Sequence, residues 1–466
     1  MTDTYDVVII GSGPAGYVAA IRCAQLGLKT ACIDKRMELG GTCLNVGCIP
    51  SKTLLHATEL LYKMEKDGAL MGIKTPGISA DFPAMMKRKR EVVSSLNAGI
   101  KGLFKKNKVT HITGAASFMS ADTLSVSQGP TSQTLKARYI ILATGSEPTP
   151  LPFLPFDERI VISSTGALQL DKVPEKLVVI GAGVIGVELG SVYSRLGSKV
   201  SFVEFADRIC PALDHELSKG FQDSLIKQGM EFHLSCKVKA VDIEGQAAHV
   251  KVARSDESTF SLEADVVLVS VGRRPFTQGL GLDKVGIDLS ERGLVPVDDQ
   301  FRTKVSHIYA VGDIIDGPML AHKASEEGVC VAEGIAGLCP TLDYISIPSI
   351  VYAHPEIASV GLSEEEAKKK GFEVKIGHYS FKSNPRAKCT LEEDGFVKVI
   401  ADHKTDKLLG VHIMSAHASE MITAAVFAIE KRMTSLDLAH LCFPHPTLSE
   451  AIKEAALSIH KKAIHK

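Results

Sequence analysis

The residues with the most chemistry in them stand together near the N-terminus, in Gly40-Gly41-Thr42-Cys43-Leu44-Asn45-Val46-Gly47-Cys48-Ile49-Pro50-Ser51-Lys52. Two cysteines with four residues between them, about ten residues after a glycine-rich loop and its acid, suggest a redox disulfide. Residues five apart on a regular helix point away from each other, so joining Cys43 to Cys48 needs an irregular turn, which Gly47 can supply. A strained, accessible disulfide is the reducible kind. Two other readings stay open on these residues: a pair of inert buried thiols, or half of a zinc site whose second pair the chain does not show. Lys52 stands four residues past Cys48, on the same face if a helix begins there. Its ammonium and the helix N-terminus would both favour a thiolate at Cys48; otherwise it is a solvated helix lysine.

A second reactive group closes the chain. Pro444-His445-Pro446-Thr447-Leu448-Ser449-Glu450 presents a histidine rigidly between two prolines, with a carboxylate five residues on that can fix its tautomer and raise its basicity. Taken alone, one of sixteen histidines is more often a surface residue than a base.

These groups need a carrier of electrons beside them, and the chain has elements to seat one. Val7 to Ile10 is an apolar run suited to a parallel strand buried on both faces. Gly11-Ser12-Gly13-Pro14-Ala15-Gly16 follows at once, Tyr17 to Leu26 reads as a helix ended by Gly27, and a strand from Thr30 to Ile33 ends in Asp34. In that setting Gly11 serves the tight turn, Gly13 the approach of a pyrophosphate, Gly16 the packing of helix on strand and Asp34 the ribose hydroxyls. The pattern then repeats. Leu177 to Ile180, Gly181-Ala182-Gly183-Val184-Ile185-Gly186, Val187 to Leu196 and Val200 to Val203 keep the same order, and Glu204 stands as far from Gly181 as Asp34 does from Gly11. A closing strand recurs too: Arg138 to Ala143 before Thr144-Gly145-Ser146, and Asp265 to Val271 before Gly272-Arg273-Arg274-Pro275. One chain therefore carries two dinucleotide sites. Glu204 favours NAD over NADP, because a carboxylate accepts from a free 2'-hydroxyl and repels a 2'-phosphate; Arg208 nearby could soften that repulsion. Glu188 is read as opening the second helix, where a carboxylate suits the dipole.

Ser51 to about Lys108 reads as long helical material with Pro76 and Pro83 in a break. Its basic stretch from Lys87 to Lys108 is read as a solvated helix face rather than a binding patch. Alternation and turn residues from His111 to Lys136 predict a small antiparallel meander. A proline-rich connector runs from Pro148 to Pro155. From Ile347-Pro348 onward, strands over Phe372 to Ser380 and Gly395 to Ile400, followed by helices, predict a separate antiparallel sheet with helices on one face.

The length of 466 residues exceeds one ordinary core and predicts three or four domains. Hydrophobic and charged shares of 45% and 23% are those of a soluble enzyme, and a net charge of -1 gives no sign of nucleic-acid or anionic-membrane binding. Ten cysteines, mostly without pattern, fit a reducing compartment with one catalytic pair. A strand begins almost at once at Tyr5, leaving no room for a targeting segment, and no apolar run reaches membrane-spanning length, so a cytoplasmic location is expected.

On the motif over 40–52, the Thr303 to Asp313 segment and the His-Pro-Thr-Leu-Ser-Glu run over 445–450, the chain resembles the class I pyridine nucleotide-disulfide oxidoreductases from end to end. The resemblance implies an α/β fold of two Rossmann-like dinucleotide-binding domains plus a C-terminal α+β dimerisation domain. It divides the chain into an FAD-binding domain (1–150), an NAD-binding domain (151–276), a central domain completing the FAD site (277–346) and an interface domain (347–466). A two-electron carrier must touch a disulfide to reduce it, so the flavin belongs with the first copy and the nicotinamide nucleotide with the second.

For FAD the resemblance implies contacts at Gly11, Gly13, Pro14, Ala15, Gly16, Asp34, Lys35, Gly41, Thr42, Lys52, Ala115, Thr144, Gly145, Ser146 and Asp313. Met319, Leu320, Ala321 and His322 would add helix N–H groups facing the flavin. Asp313 would accept from the ribityl hydroxyls, though a plain helix cap would need no such role. For NAD it implies Gly181, Gly183, Val184, Ile185, Gly186, Glu188, Glu204, Val238 and Gly272. Catalysis is implied at Cys43, Cys48, His445 and Glu450, with Lys52 paired to Glu188 beside the flavin ring. In a homodimer, His445 from the partner subunit takes a proton from a substrate thiol, the thiolate attacks Cys43, and Cys48 passes the electrons on.

Leu44 with Ser51-Lys52 points to members that oxidise protein-bound dihydrolipoamide, serving the lipoyl domains and core acyltransferase of 2-oxo acid dehydrogenase complexes, with no nucleic acid or membrane partner. Glutathione-reducing members differ at Leu44 and Ser51, and mercuric-reducing ones carry a vicinal cysteine pair where this chain ends in Ala463-Ile464-His465-Lys466. A docking role without turnover is the reading from another class. Three departures from the family pattern stand out: Asp34 where Glu is commoner, Pro385 between Asn384 and Arg386, and Phe443-Pro444 before the histidine.

Overall fold

The computed structural model describes residues 3–74, 77–339 and 341–465, so Pro76 and Lys466 lie outside the described residues. The chain forms two compact units, one of residues 1–53, 86–149 and 272–342, the other of residues 54–85, 150–271 and 343–466.

In the first unit five strands run parallel in the order Thr110–Thr113, Thr30–Asp34, Asp3–Ile10, Thr131–Leu142, Ile308–Ala310. Val7, Val8, Ile9, Ile140 and Ile141 have no exposed surface, as an apolar run covered on both sheet faces requires. The register aligns Ile10 with Ile33 and with Leu142, so the strands end in one row. Gly11 therefore stands at the carboxyl edge of the sheet, where open α/β sheets bind their ligands. The Pro14–Gln25 helix starts directly after it, with proline in the first turn where its missing N–H is no loss. That helix packs closely on the Ala321–Ile335 helix: a Cβ on Gly328 would lie 2.6 Å from the Ala15 carbonyl oxygen.

An antiparallel meander of Ala115–Ser120, Thr123–Gln128 and the start of Thr131–Leu142 extends the sheet. His111, expected in the meander, sits instead in the parallel strand Thr110–Thr113 opposite Cys32. The helical stretch divides into Cys48–Asp67 and Phe82–Asn107. Pro83 is not in the break but in the first turn of the latter helix, which tolerates it for the same reason as Pro14. Lys87, Arg88, Arg90, Lys105 and Lys106 on this helix are exposed, whereas Lys89 is buried, and burial pulls its ammonium down to about 8.

The second unit has Glu231–His233, Lys199–Val203, Lys176–Ile180, Val266–Val269 and Val161–Ile162, all parallel; the first four repeat the first sheet's order, while the fifth precedes them in the chain where Ile308–Ala310 follows. Val203, Ile180 and Val269 form its terminal row. A three-stranded meander, Lys237–Glu244, Ala247–Ala253 and Thr259–Ala264, shares that core. The same unit holds a five-stranded antiparallel sheet in the order Ser349–Val351, Glu356–Gly361, Leu408–Ser415, Phe396–Asp402, Val374–Ser380. The Ala418–Glu430 and Glu450–Ile459 helices fill one apolar cluster with it. Lys398 is buried on this sheet against Asp214 at 3.0 Å and Glu364 at 2.8 Å. Burial alone would lower its pKa, but the two carboxylates raise it. Removing one member of such a set costs about 3–5 kcal/mol.

Candidate active site

Cys43 lies in the short Gly41–Val46 helix and Cys48 opens the Cys48–Asp67 helix, and their sulfurs are joined with Cα atoms 4.7 Å apart. That bond removes the zinc and inert-thiol readings. Gly47, between the two helices, has φ -144°, so glycine is needed there for room rather than for a left-handed turn: a Cβ would lie 2.9 Å from the Thr42 carbonyl oxygen. Two asparagines that the sequence reading passed over pin the segment. Asn45 Nδ2 donates to the carbonyls of Leu39 at 3.0 Å and Gly41 at 2.9 Å, and Asn97 Nδ2 donates to Leu39 at 2.7 Å. An asparagine inside a helix is the signal that could have found them, since its amide competes for backbone partners. The other eight cysteines are free thiols. Burial raises the pKa of Cys23, to about 12, and those of Cys32 and Cys210 further, which keeps them protonated.

The two glycine loops are built alike. Gly11 has φ 106° and a Cβ on it would lie 2.2 Å from the Ala143 carbonyl oxygen; Gly181 has φ 96° and the matching distance, to Ser270, is 2.7 Å. A Cβ on Gly16 would fall 1.8 Å from Gly11 O, and one on Gly186 2.3 Å from Gly181 O. The acids match as well. Asp34 accepts from the Ser12 N–H at 2.8 Å and the Arg36 N–H at 2.9 Å; Glu204 accepts from Ala182 N–H at 2.6 Å and Ala206 N–H at 2.8 Å. The shorter carboxylate thus makes the same two backbone bonds, and adds the Ser12 hydroxyl at 2.6 Å. Both loops leave backbone N–H groups at the start of a 12-residue helix, the arrangement that suits a pyrophosphate. The first loop fits the pyrophosphate of FAD on this ground: Gly11 and Gly16 let it pack tightly on strand and helix, and the helix N-terminus offers its N–H groups.

Asp313 follows the Ile308–Ala310 strand in a short turn, and its Oδ2 accepts from Ser146 Oγ at 2.5 Å. Gly312, with φ 80°, is gripped on both sides of its peptide: its N–H donates to Glu327 at 2.7 Å and its carbonyl accepts from Lys323 at 3.1 Å. Lys323 and Glu327 pair at 3.0 Å with no side-chain exposure. In sequence they look like an ordinary solvated i,i+4 pair, and so were not singled out. Met319, Leu320 and Ala321 are half-buried at the head of the Ala321–Ile335 helix and His322 is exposed. Thr144 Oγ1 donates to the Phe276 carbonyl at 2.5 Å, and the Lys35 ammonium lies 3.8 Å over the Phe276 ring. Ala115 is exposed at the start of its strand.

In the second unit Glu188 is 3% exposed and sits in the second turn of the Val184–Arg195 helix. The dipole reading therefore gives way to a different contact: its Oε1 accepts from the Tyr352 N–H at 2.9 Å. Arg208 donates to the Pro211 carbonyl at 3.3 Å. Val238 packs into the apolar core with Ile180 and Val203, while Gly272, with φ 119°, is exposed. His445 is exposed, with Nδ1 2.9 Å from Glu450 Oε1, and the other carboxylate oxygen accepts from the Thr447 N–H at 2.8 Å. A carboxylate only accepts, so Nδ1 carries the proton and Nε2 is the basic nitrogen turned outward. Asn384 braces this loop by donating to the Thr447 carbonyl at 3.1 Å while capping the Pro385–Thr390 helix. Pro385 takes the first position of that helix, where proline is favoured, and so costs nothing there.

The family model for pyridine nucleotide-disulphide oxidoreductases matches residues 5–328, and that for the dimerisation domain of the same family matches residues 347–456. The chain is 51% identical to the mitochondrial dihydrolipoyl dehydrogenase of Pisum sativum, with 100% of this chain and 93% of the relative covered. It is 48% identical to the dihydrolipoyl dehydrogenase of Trypanosoma brucei brucei, with 99% and 98% covered. Among solved structures, LpdA of Mycobacterium tuberculosis matches with a TM-score of 0.89 at 28% identity, over 98% of this chain and 99% of that one. With a disulfide between Cys43 and Cys48, two dinucleotide loops and a matching dimerisation domain, the chain belongs to the pyridine nucleotide-disulphide oxidoreductases.

Proposed function

We propose that the protein is a dihydrolipoyl dehydrogenase, oxidising protein-bound dihydrolipoamide to lipoamide with reduction of NAD. The observation that carries this is the Cys43–Cys48 disulfide on the very segment that backs the first dinucleotide loop. His445, held with Nε2 basic by Glu450, takes the proton of a substrate thiol. The thiolate attacks Cys43 Sγ, the bond to Cys48 breaks, and Cys48 leaves as a thiolate favoured by its place at a helix N-terminus. The second substrate thiol attacks the mixed disulfide, releasing cyclic lipoamide and leaving both cysteines reduced. FAD, which Gly11, Gly13, Gly16 and Asp34 would hold at the first loop, would supply the two-electron chemistry that links the reduced cysteine pair to NAD. Lys52, one turn past Cys48, would steady negative charge on the flavin.

Gly11, Gly13, Gly16, Asp34, Ser146 and Asp313 hold the flavin nucleotide; Gly181, Gly183, Gly186 and Glu204 hold NAD. The division at 150, 276 and 346 follows this assignment, with the 277–346 stretch completing the flavin site, as the pairing of Ile308–Ala310 with the first sheet supports. The protein acts as a homodimer in which His445 of one copy serves the disulfide of the other. It delivers to lipoyl domains bound to the core acyltransferase of 2-oxo acid dehydrogenase complexes, and possession of lipoyl chemistry extends this to a glycine cleavage system. Among the described residues no helix is long and apolar enough to cross a membrane. A cytoplasmic location is part of the proposal; the rival is the mitochondrial one in the name of the Pisum sativum relative, and cell fractionation decides between them.

Turnover of dihydrolipoamide with NAD, set beside glutathione disulfide with NADPH, tests the function. NADH formation far above the second reaction is expected. The reverse order would overturn the assignment, and no turnover of either by flavin-loaded protein would favour a docking role.

A further inference from the structure

We propose that Arg273 is a positioning residue for the flavin site, acting on Asp313 through Ser146; this rests on the reading of Asp313 as a flavin contact. Arg273 lies just past the closing strand of the second dinucleotide copy, 127 residues from Ser146 in the chain. It nevertheless holds that serine with two prongs, Nε to Ser146 Oγ at 2.7 Å and Nη2 to the Ser146 carbonyl oxygen at 2.6 Å. A guanidinium donates and never accepts, so the serine hydroxyl must use a lone pair for it. Its single hydrogen then has one direction left, toward Asp313 Oδ2 at 2.5 Å. Ser146 is 7% exposed, so the hydroxyl has no free exchange with solvent to relax this order. The result is an Asp313 carboxylate held in one rotation by the bond to its Oδ2.

The backbone around the pair makes the grip rigid. Ser146–Pro148 and Arg273–Pro275 form a two-stranded antiparallel ribbon, with Pro275 opposite Ser146 and Arg273 opposite Pro148. Bonds on both flanks extend it, Thr149 N–H to the Gly272 carbonyl at 3.1 Å and Phe276 N–H to the Gly145 carbonyl at 2.8 Å. Arg274 adds an ion pair to Glu147 at 2.8 Å. Arg274, more exposed and facing Glu147, is the internal control: same ribbon, same charge, no reach to Asp313.

The test measures FAD affinity, by fluorescence of released FAD, and apoprotein melting temperature in Arg273→Leu, Ser146→Ala, Arg274→Leu, Asp313→Asn and the Arg273→Leu/Asp313→Asn pair. Loss of a charge-assisted bond is worth about 1.5–3 kcal/mol, so a weakening of roughly tenfold or more is expected for Arg273→Leu and Ser146→Ala. Arg274→Leu should bind FAD as the parent does. The double variant should bind no more weakly than Asp313→Asn alone, because Arg273 acts through that carboxylate. A merely structural arginine would lower apoprotein melting and leave FAD affinity additive with Asp313→Asn, which would overturn the inference. Unchanged affinity in Arg273→Leu with weakened affinity in Asp313→Asn would overturn it as well. Unchanged affinity in Asp313→Asn would overturn the underlying reading of the flavin site instead.

Discussion

The two dinucleotide copies are near replicas in backbone and opposites in surroundings. Each has a parallel sheet with the same order over four strands, a left-handed glycine pressed against the closing strand, a glycine packed on that first one, and an acid bonded to two loop N–H groups. The central glycines part company. A Cβ on Gly41 would lie 2.5 Å from Gly13 Cα, so the redox segment leans on the first loop, whereas Gly183 has no neighbour within 4 Å of a Cβ. The first site is thus closed in by the segment that carries the disulfide, as suits a cofactor that stays. The second is open, with Phe205 78% exposed beside Glu204, as suits a substrate that comes and goes. On the proposed assignment, one scaffold used twice serves a resident carrier and an exchangeable one.

The largest effect is expected where the copies are tightest. Gly16→Ala puts a Cβ against Gly11 O at 1.8 Å and should yield protein purified without FAD, while Gly186→Ala should keep its FAD and raise the KM for NAD by about tenfold or more. Flavin content by absorbance after denaturation checks the first and steady-state kinetics the second; equal flavin loss in both would erase the distinction between the copies. His445→Gln should lower kcat/KM for dihydrolipoamide by about 10²–10⁴ without altering flavin content or NAD affinity, since a general base contributes on that scale. Glu204→Ala should raise the KM for NAD by about tenfold and leave FAD retention alone, the loss expected from one bidentate hydrogen-bonding group.

The smallest effect belongs to the second unit. Burial would push Glu59 up, but the His354 ring at 3.3 Å and the Lys63 ammonium at 2.7 Å hold it at about 2, below the usual 4.5. A depressed folded pKa means the stabilisation is present above about pH 4.5 and is lost as pH falls toward 2. The melting temperature of Glu59→Gln should therefore lie below that of the parent at pH 6 and converge on it at pH 2–3; a constant gap across that range would count against the assignment.

What the sequence made legible was local and repeated. Gly11 to Asp34 and Gly181 to Glu204 could be read because turn, helix and acid lie within one βαβ unit, and the structure reproduces even the acid's two backbone bonds. His445 and Glu450 could be read because five residues separate them. What stayed hidden depended on distant partners: Arg273 needs Ser146, Lys323 and Glu327 matter through Gly312, and Asn97 reaches Leu39 from a different helix. Glu188 was placed by a helix-dipole rule, yet tertiary contact with Tyr352 decides its setting. Pro83 reads as part of a break and Pro385 as a departure from the family pattern, and both stand in the first turn of a helix, where proline's missing N–H is harmless.

Alkylation after anaerobic reduction tests most directly whether electrons enter through the Cys43–Cys48 pair. Flavin-loaded protein is mixed with one equivalent of dihydrolipoamide, quenched with iodoacetamide and mapped by mass spectrometry, with and without a following pulse of NAD. Cys43 and Cys48 should be protected before the dithiol, alkylated after it, and protected again once NAD has been reduced to NADH. NADH formed at the full rate while those two cysteines remain unmodified throughout would contradict the account.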